Sequence, residues 1–187
     1  MDEFYNEYLN SLKKAITELN PNQVDNIVAV LIEAQENARQ VFLFGNGGSA
    51  ATASHFALDL TKTAAVPGKP RLRAISLTDN VAMITAIAND ISYDNIFVEQ
   101  MSVFWNRGDL AIGISASCNS PNVLKAIEYA KNHGGKTIGL CGFGGGKLAQ
   151  IADLNITFSS HDYGVVEGMH SVLAHLTTRA FRQRLQE

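Results

Sequence analysis

Two short segments carry the side chains and free backbone donors that could hold an anion. They are Phe44-Gly45-Asn46-Gly47-Gly48-Ser49 and Ile114-Ser115-Ala116-Ser117-Cys118-Asn119-Ser120. Each sets small, hydroxyl or amide residues between an apolar run and a helical stretch. There, unpaired N–H groups and the helix dipole favour negative charge. Ser and Asn also cap helices without any ligand, so one such segment alone would say little. Two of them, each closing a strand of one sheet, point to a phosphate-sized anion. A second group is made of imidazoles and carboxylates. His55 and Asp59 stand four apart and so share a helix face. Glu167 and His175 stand eight apart on a later helix, about 80° around its axis. Two His and two carboxylates can give four ligands to one divalent cation. His170 lies between the latter pair and is the lesser candidate. Zinc suits this donor set best; manganese, iron and nickel stay open on ligand type.

The elements that must position these residues follow from patterning. Phe4, Tyr8, Leu12, Ile16 and Leu19 recur at helical spacing, Pro21-Asn22 interrupts them, and Val24 to Ala34 resume it. Residues 1–38 therefore read as a paired helical arm, packing on another subunit or capping the same domain. Five short apolar runs follow as strands: Val41–Phe44, Leu72–Leu77, Leu110–Ile114, Thr137–Cys141 and Leu154–Phe158. Helical stretches separate them: about Ser49 to Leu60, Val81–Ala88 with Ile96–Trp105, one opened by Pro121, and a long one from about Gly164 to Gln186. Strands alternating with helices predict an α/β fold, a doubly wound five-stranded parallel sheet over residues 39–187. Right-handed crossovers then put every strand's C-terminal end on one edge, where ligands bind.

Composition narrows the function. At 187 residues, the chain is expected to form one domain, and 46% hydrophobic residues suffice for a core. With 15 Lys+Arg against 18 Asp+Glu, the net charge of -3 gives no basic excess for nucleic acid. Two cysteines form no disulfide framework. An acidic N-terminus and the lack of any apolar run near ~18 residues predict no signal peptide and no membrane span, hence a cytoplasmic protein. Neither anion segment holds the Lys of a Walker A loop. Gly45 to Ala50 fits the loose dinucleotide pattern, but the nearest acid after the second strand, Asp79, comes about 10 residues later than the usual ~20. A nucleotide would also leave the Ser115–Ser120 segment unexplained, whereas a small phosphorylated metabolite uses both.

Taken in order, the Gly-Asn-Gly-Gly-Ser segment, His55-Phe56-Ala57, Asn89-Asp90, Ser115–Ser120 and the Glu167/His175 helix resemble the sugar isomerase (SIS) domain family, and within it the phosphoheptose isomerases. The resemblance spans essentially the whole chain. It implies an aldose–ketose isomerase acting on sedoheptulose 7-phosphate, a homotetramer with active sites at subunit interfaces, and a divalent metal, usually zinc, in some members. It further implies sugar-phosphate contacts from Asn46, Gly47, Gly48, Ser49, Asn89, Asp90, Ser115, Ala116, Ser117, Ser120 and Glu167. Metal ligation would fall to His55, Asp59, Glu167 and His175, with Asp59 also the catalytic carboxylate and His175 the general acid. Several positions depart from the family pattern: Asp59 stands for Glu, Thr63 for Arg, Ala116 for Thr, Gly164 for Asp and Glu167 for Gln. The altered substrate positions Thr63, Ala116 and Gly164 keep open a second reading, a non-catalytic SIS protein of the replication-initiator-associating type, against which stands the retained acid/base and ligand set.

Overall fold

A computed structural model describes residues 2–187, and among them five parallel strands form one sheet. They are β1 (Gln40–Gly45), β2 (Arg73–Ser76), β3 (Leu110–Ser115), β4 (Lys136–Cys141) and β5 (Leu154–Thr157), in spatial order β2-β1-β3-β4-β5. Pairing runs in register from Val41 opposite Leu110 to Gly45 opposite Ile114, and from Leu110 opposite Lys136 to Ser115 opposite Cys141. The order reverses between β1 and β3, so the chains leaving these two strands part to opposite sides and open a crevice. Both anion segments emerge there.

Helices cover both faces, which is why the central strands are apolar throughout rather than alternating. Leu43, Ile112, Ile114, Leu140 and Ile156 face one core, shared with α2 (Pro21–Glu36), α3 (Gly48–Leu58) and α8 (Tyr163–Gln186). Phe42, Phe44, Ala111 and Cys141 face the other. That second core packs under α4 (Val81–Asp90), α5 (Val98–Phe104), α6 (Pro121–Asn132) and α7 (Gly146–Ile151). Helix α2 starts where Pro21 pre-sets the first turn and the Asn20 side chain accepts the Asn22 N–H. Ahead of it, α1 (Asp2–Glu18) packs on α8, yet Ala15 is its sole buried residue. Met1 of the expected arm lies outside the described residues.

Boundaries differ from expectation in three places. The helix expected to run to Leu60 yields at Asp59 to a π-helical turn, Asp59–Thr63, closed by the Ala64 N–H donating to the Asp59 carbonyl. The stretch at Ile96–Trp105 begins later, at Val98, because Tyr93–Asn95 form a 3-10 turn that drops Ile96 and Phe97 into the core. Helix α7 was not foreseen, since six residues behind a glycine run show no helical period.

His170 lies in the core of α8 rather than near the cation candidates. It is fully buried beside Phe158, and neither ring nitrogen makes a hydrogen bond of good geometry. Burial pushes its pKa down to about 4, against a weaker opposing pull from the Cys141 backbone. The folded state thus holds the ring neutral, while the unfolded chain takes up a proton below about pH 6.5. Stability is therefore lost as pH falls below that value, levelling off near pH 4. Urea unfolding of the wild type and of His170→Leu at pH 7.5 and pH 5 should show the wild type losing about 2 kcal/mol more than the variant between the two.

Candidate active site

The switch-point crevice is walled by Asn46, Ser49, Ile114, Ser115, Ala116, Ser117, Ser120, Tyr163 and Glu167, enclosing about 130 Å³. Three helices, α3, α6 and α8, begin at its rim, so their free N–H groups and dipoles supply positive potential. No Lys or Arg stands in the walls. The left-handed φ of 56° at Gly47 turns the chain into α3, a conformation that favours glycine. The other loop is braced from within. Ser115 Oγ lies 3.3 Å from Ser120 Oγ and 3.5 Å from Ser117 Oγ, and accepts the Cys118 N–H at 3.0 Å. Cys118 itself holds a φ of 55°, an uncommon value for a side-chain-bearing residue, and its thiol donates to the Ser115 carbonyl. Behind it, burial and the neighbouring Cys118 raise the Cys141 thiol's pKa, the contact with Cys118 being the larger cause. Both cysteines are free.

Sequence reasoning missed one wall residue of this pocket, Tyr163, and two residues that hold its Asn46 wall in place, Asn122 and Tyr93. Asn122, buried at the start of α6, forms a reciprocal amide pair with Asn46 at 2.9 Å, and the Tyr93 hydroxyl donates to Asn46 Oδ1 at 3.0 Å. These contacts fix the Asn46 amide. Tyr163 closes the rim and meets Phe143 edge-on, ring centroids 4.7 Å apart. An Asn just behind Pro121 was a readable signal; Tyr93 and Tyr163 gave none, because their role depends on how loops fold back. Asn89 and Asp90 do not join the walls. They pair with each other at 2.7 Å on the exposed C-terminal end of α4. A larger cavity of about 700 Å³ lies at the β2 edge between Leu58, Ile75, Val81 and Phe104, and contains none of the expected site residues.

The imidazole and carboxylate group forms two turns further along α3 and α8. Asp59 Oδ2 lies 3.6 Å from His55 Nε2 and 3.7 Å from His175 Nε2, and the two rings meet edge-on at 4.9 Å. The carboxylate side chain is 10% exposed while the imidazoles are 53% and 57% exposed, so the group opens outward from a buried acid. These separations exceed a hydrogen bond. They are close to the ~3.4 Å between donors held tetrahedrally at ~2.1 Å from one ion. One ligand atom from each residue lies within 4.8 Å of the others. The donors therefore fit a divalent cation. Glu167, expected as a fourth ligand, does not join this group: its carboxylate lies against Gly48 and lines the anion crevice.

An open parallel sheet with an anion crevice at its switch point and a His/Asp/His group beside it defines the class as an α/β domain built for small phosphorylated ligands. The family profile described as SIS domain matches residues 3–142. The chain belongs to that family. It is 41% identical over 166 residues to the phosphoheptose isomerase of Helicobacter pylori strain P12, covering 89% of this chain and 85% of the relative. It is 39% identical over 170 residues to a probable phosphoheptose isomerase of Thermoplasma acidophilum, covering 91% and 93%. The phosphoheptose isomerase of Neisseria gonorrhoeae superposes with a TM-score of 0.87 at 27% identity, over 97% of this chain and 96% of that one.

Titration with Co2+ as a spectroscopic probe should reveal one site per chain. His55→Ala and His175→Ala should each weaken it by more than about tenfold, since each removes a direct donor. His170→Ala should leave it intact, as that ring is in the core.

Proposed function

We propose that the protein is a phosphoheptose isomerase, converting sedoheptulose 7-phosphate to D-glycero-D-manno-heptose 7-phosphate. The observation that carries this reading is a distance. Ser49 and His55 stand six residues apart on α3, and Glu167 and His175 eight apart on α8. The anion crevice and the acid/base group are thus about 9–12 Å apart. A seven-carbon chain ending in phosphate spans roughly 10 Å when extended, with carbon–carbon bonds of ~1.5 Å. Phosphate in the crevice would put C1 and C2 beside Asp59 and His175.

The chemistry then follows from proton positions. When these atoms hold no ion, Asp59 Oδ2 takes a proton from C1 of the ketose while protonated His175 donates from Nε2 to the C2 oxygen, giving an enediol. His175 Nε2 then takes the proton from O1 while Asp59 returns its proton to C2, which yields the aldehyde and restores both groups. The depth of Asp59 keeps its carboxylate within reach of both imidazoles despite a side chain one methylene shorter than the Glu of the family pattern. His55, Asp59 and His175 would hold a dication, zinc suiting two imidazoles and a carboxylate, and such an ion supplies charge stabilisation for an oxyanion. Ser49, Ser115, Ser117 and Ser120 would donate to phosphate, with Asn46 and the Gly47-Gly48 backbone beside them; Ala116 contributes only wall.

Incubating the protein with sedoheptulose 7-phosphate, with and without added zinc, tests the reading. Turnover is expected, with Asp59→Asn lowering kcat by about 10²–10⁴ as loss of a general base does. No aldose product under either condition would reject it.

We also propose a homotetramer with α1 in the interface. Phe4, Tyr5, Leu9 and Ile16 on α1 are exposed, and so are Val172 and Leu176 on α8. Apolar residues gathered in this way favour burial against another subunit. Light scattering at micromolar concentration should give four times the chain mass of 20.2 kDa; a monomer would overturn it.

A further inference from the structure

Asn46 is the one side-chain amide in the crevice wall, and an amide can face an anion in two ways. Turned one way it offers an N–H, which attracts the anion; turned the other way it offers a carbonyl oxygen, which repels it. The network behind Asn46 decides between them. Asn122 stands in the first turn of α6 and is 1% exposed. Its Oδ1 accepts the Val123 N–H at 2.9 Å, and a backbone N–H can only donate, so that end of the Asn122 amide is the oxygen. The same Oδ1 accepts from Asn46 Nδ2 at 2.9 Å, and Asn122 Nδ2 donates back to Asn46 Oδ1 at 2.9 Å. The Tyr93 hydroxyl also donates to Asn46 Oδ1, at 3.0 Å.

Both lone pairs of Asn46 Oδ1 are then taken, and one hydrogen of Nδ2 is left over. Building on the phosphate-pocket reading above, we propose that Asn122 and Tyr93 are positioning residues that fix the polarity of Asn46, so that its amide meets an anion with N–H and never with the carbonyl oxygen. Neither residue lines the crevice; each acts through Asn46. The serine hydroxyls need no such device, because an O–H can turn to donate or to accept. An amide free to turn over would be ready to donate in about half of its states, and affinity falls by the fraction lost. The lock starts from a backbone N–H of α6. The helix start whose dipole favours the anion therefore also dictates which way the amide points.

The test is a double-mutant cycle, read by isothermal titration calorimetry with sulfate at fixed ionic strength. Sulfate at neutral pH carries no proton and can only accept. N46A removes the donor and should weaken sulfate binding about tenfold. N122A should weaken it about two- to fivefold, and Y93F, at an exposed position where the fold is not at stake, about twofold. In the N46A background neither change should weaken binding further, because no amide is left to orient. In turnover of sedoheptulose 7-phosphate, N122A should raise KM and leave kcat, the acid/base group being about 9–12 Å away. Losses that add to that of N46A would overturn the proposal and make Asn122 and Tyr93 supports of the fold alone. So would unchanged sulfate affinity in both N122A and Y93F, or a fall in kcat with KM unchanged. S117A separates failure of the lock from failure of the pocket. Weaker sulfate binding there, with N122A and Y93F at wild-type affinity, overturns the lock alone, whereas no loss in either S117A or N46A removes the pocket and the lock together.

Discussion

The structure depends on β1 and β3 being neighbours. Parallel pairing of Gly45 with Ile114 brings two strands that are far apart in sequence to the same level at the sheet edge. Their continuations then have to diverge, one into α3 and the other into α6 on the opposite face. Loop backbone and short side chains line the gap between them, and loop backbone at two helix starts leaves N–H groups unpaired. The anion site is therefore a consequence of strand order, and the serines tune a potential that the topology already supplies. Asn46, held by Asn122 and Tyr93, ties the two diverging chains together across the gap.

The same constraint sets the second half of the site. With α3 fixed at the crevice by Gly47 and Ser49, its next two turns must run down the sheet face beside α8. Both helices begin at the crevice, so residues at comparable distances from their starts come together. His55 and Asp59 on one meet His175 on the other for that reason. Glu167, two turns earlier, meets the anion loop instead.

This explains which features were legible in the sequence. Five strands and the helices between them were readable because apolar runs and helical periods are local signals, and the two anion segments because hydroxyls behind a buried strand are local too. The His55/Asp59 pair followed from one helix's spacing. Joining Glu167 to that pair needed the axial placement of α8 against α3, which no local pattern encodes; identity and spacing on one helix gave the right face but not the right level. Asn89-Asp90 lie outside the crevice for a similar reason: α4 ends on the surface, and Tyr93, three residues on, makes the contact with Asn46. His170 had the composition of a ligand and the environment of a core residue, and only burial separates the two.

The π-helical turn at Asp59 is the part furthest from sequence reading and closest to the chemistry. An α-helix continued through Leu60 would close the Ala64 N–H on Leu60; here it closes on Asp59. That extra residue per turn widens the backbone at the one position where the carboxylate is shorter than the family pattern provides. A bulge of this kind costs backbone hydrogen-bond quality, and such turns are found mostly where function needs them. Here it leaves Asp59 buried to 10% exposure with one oxygen facing two imidazoles, while Leu60 anchors the turn in the core. One residue thus joins the two features: Asp59 opens the wider turn and supplies the oxygen that faces both imidazoles.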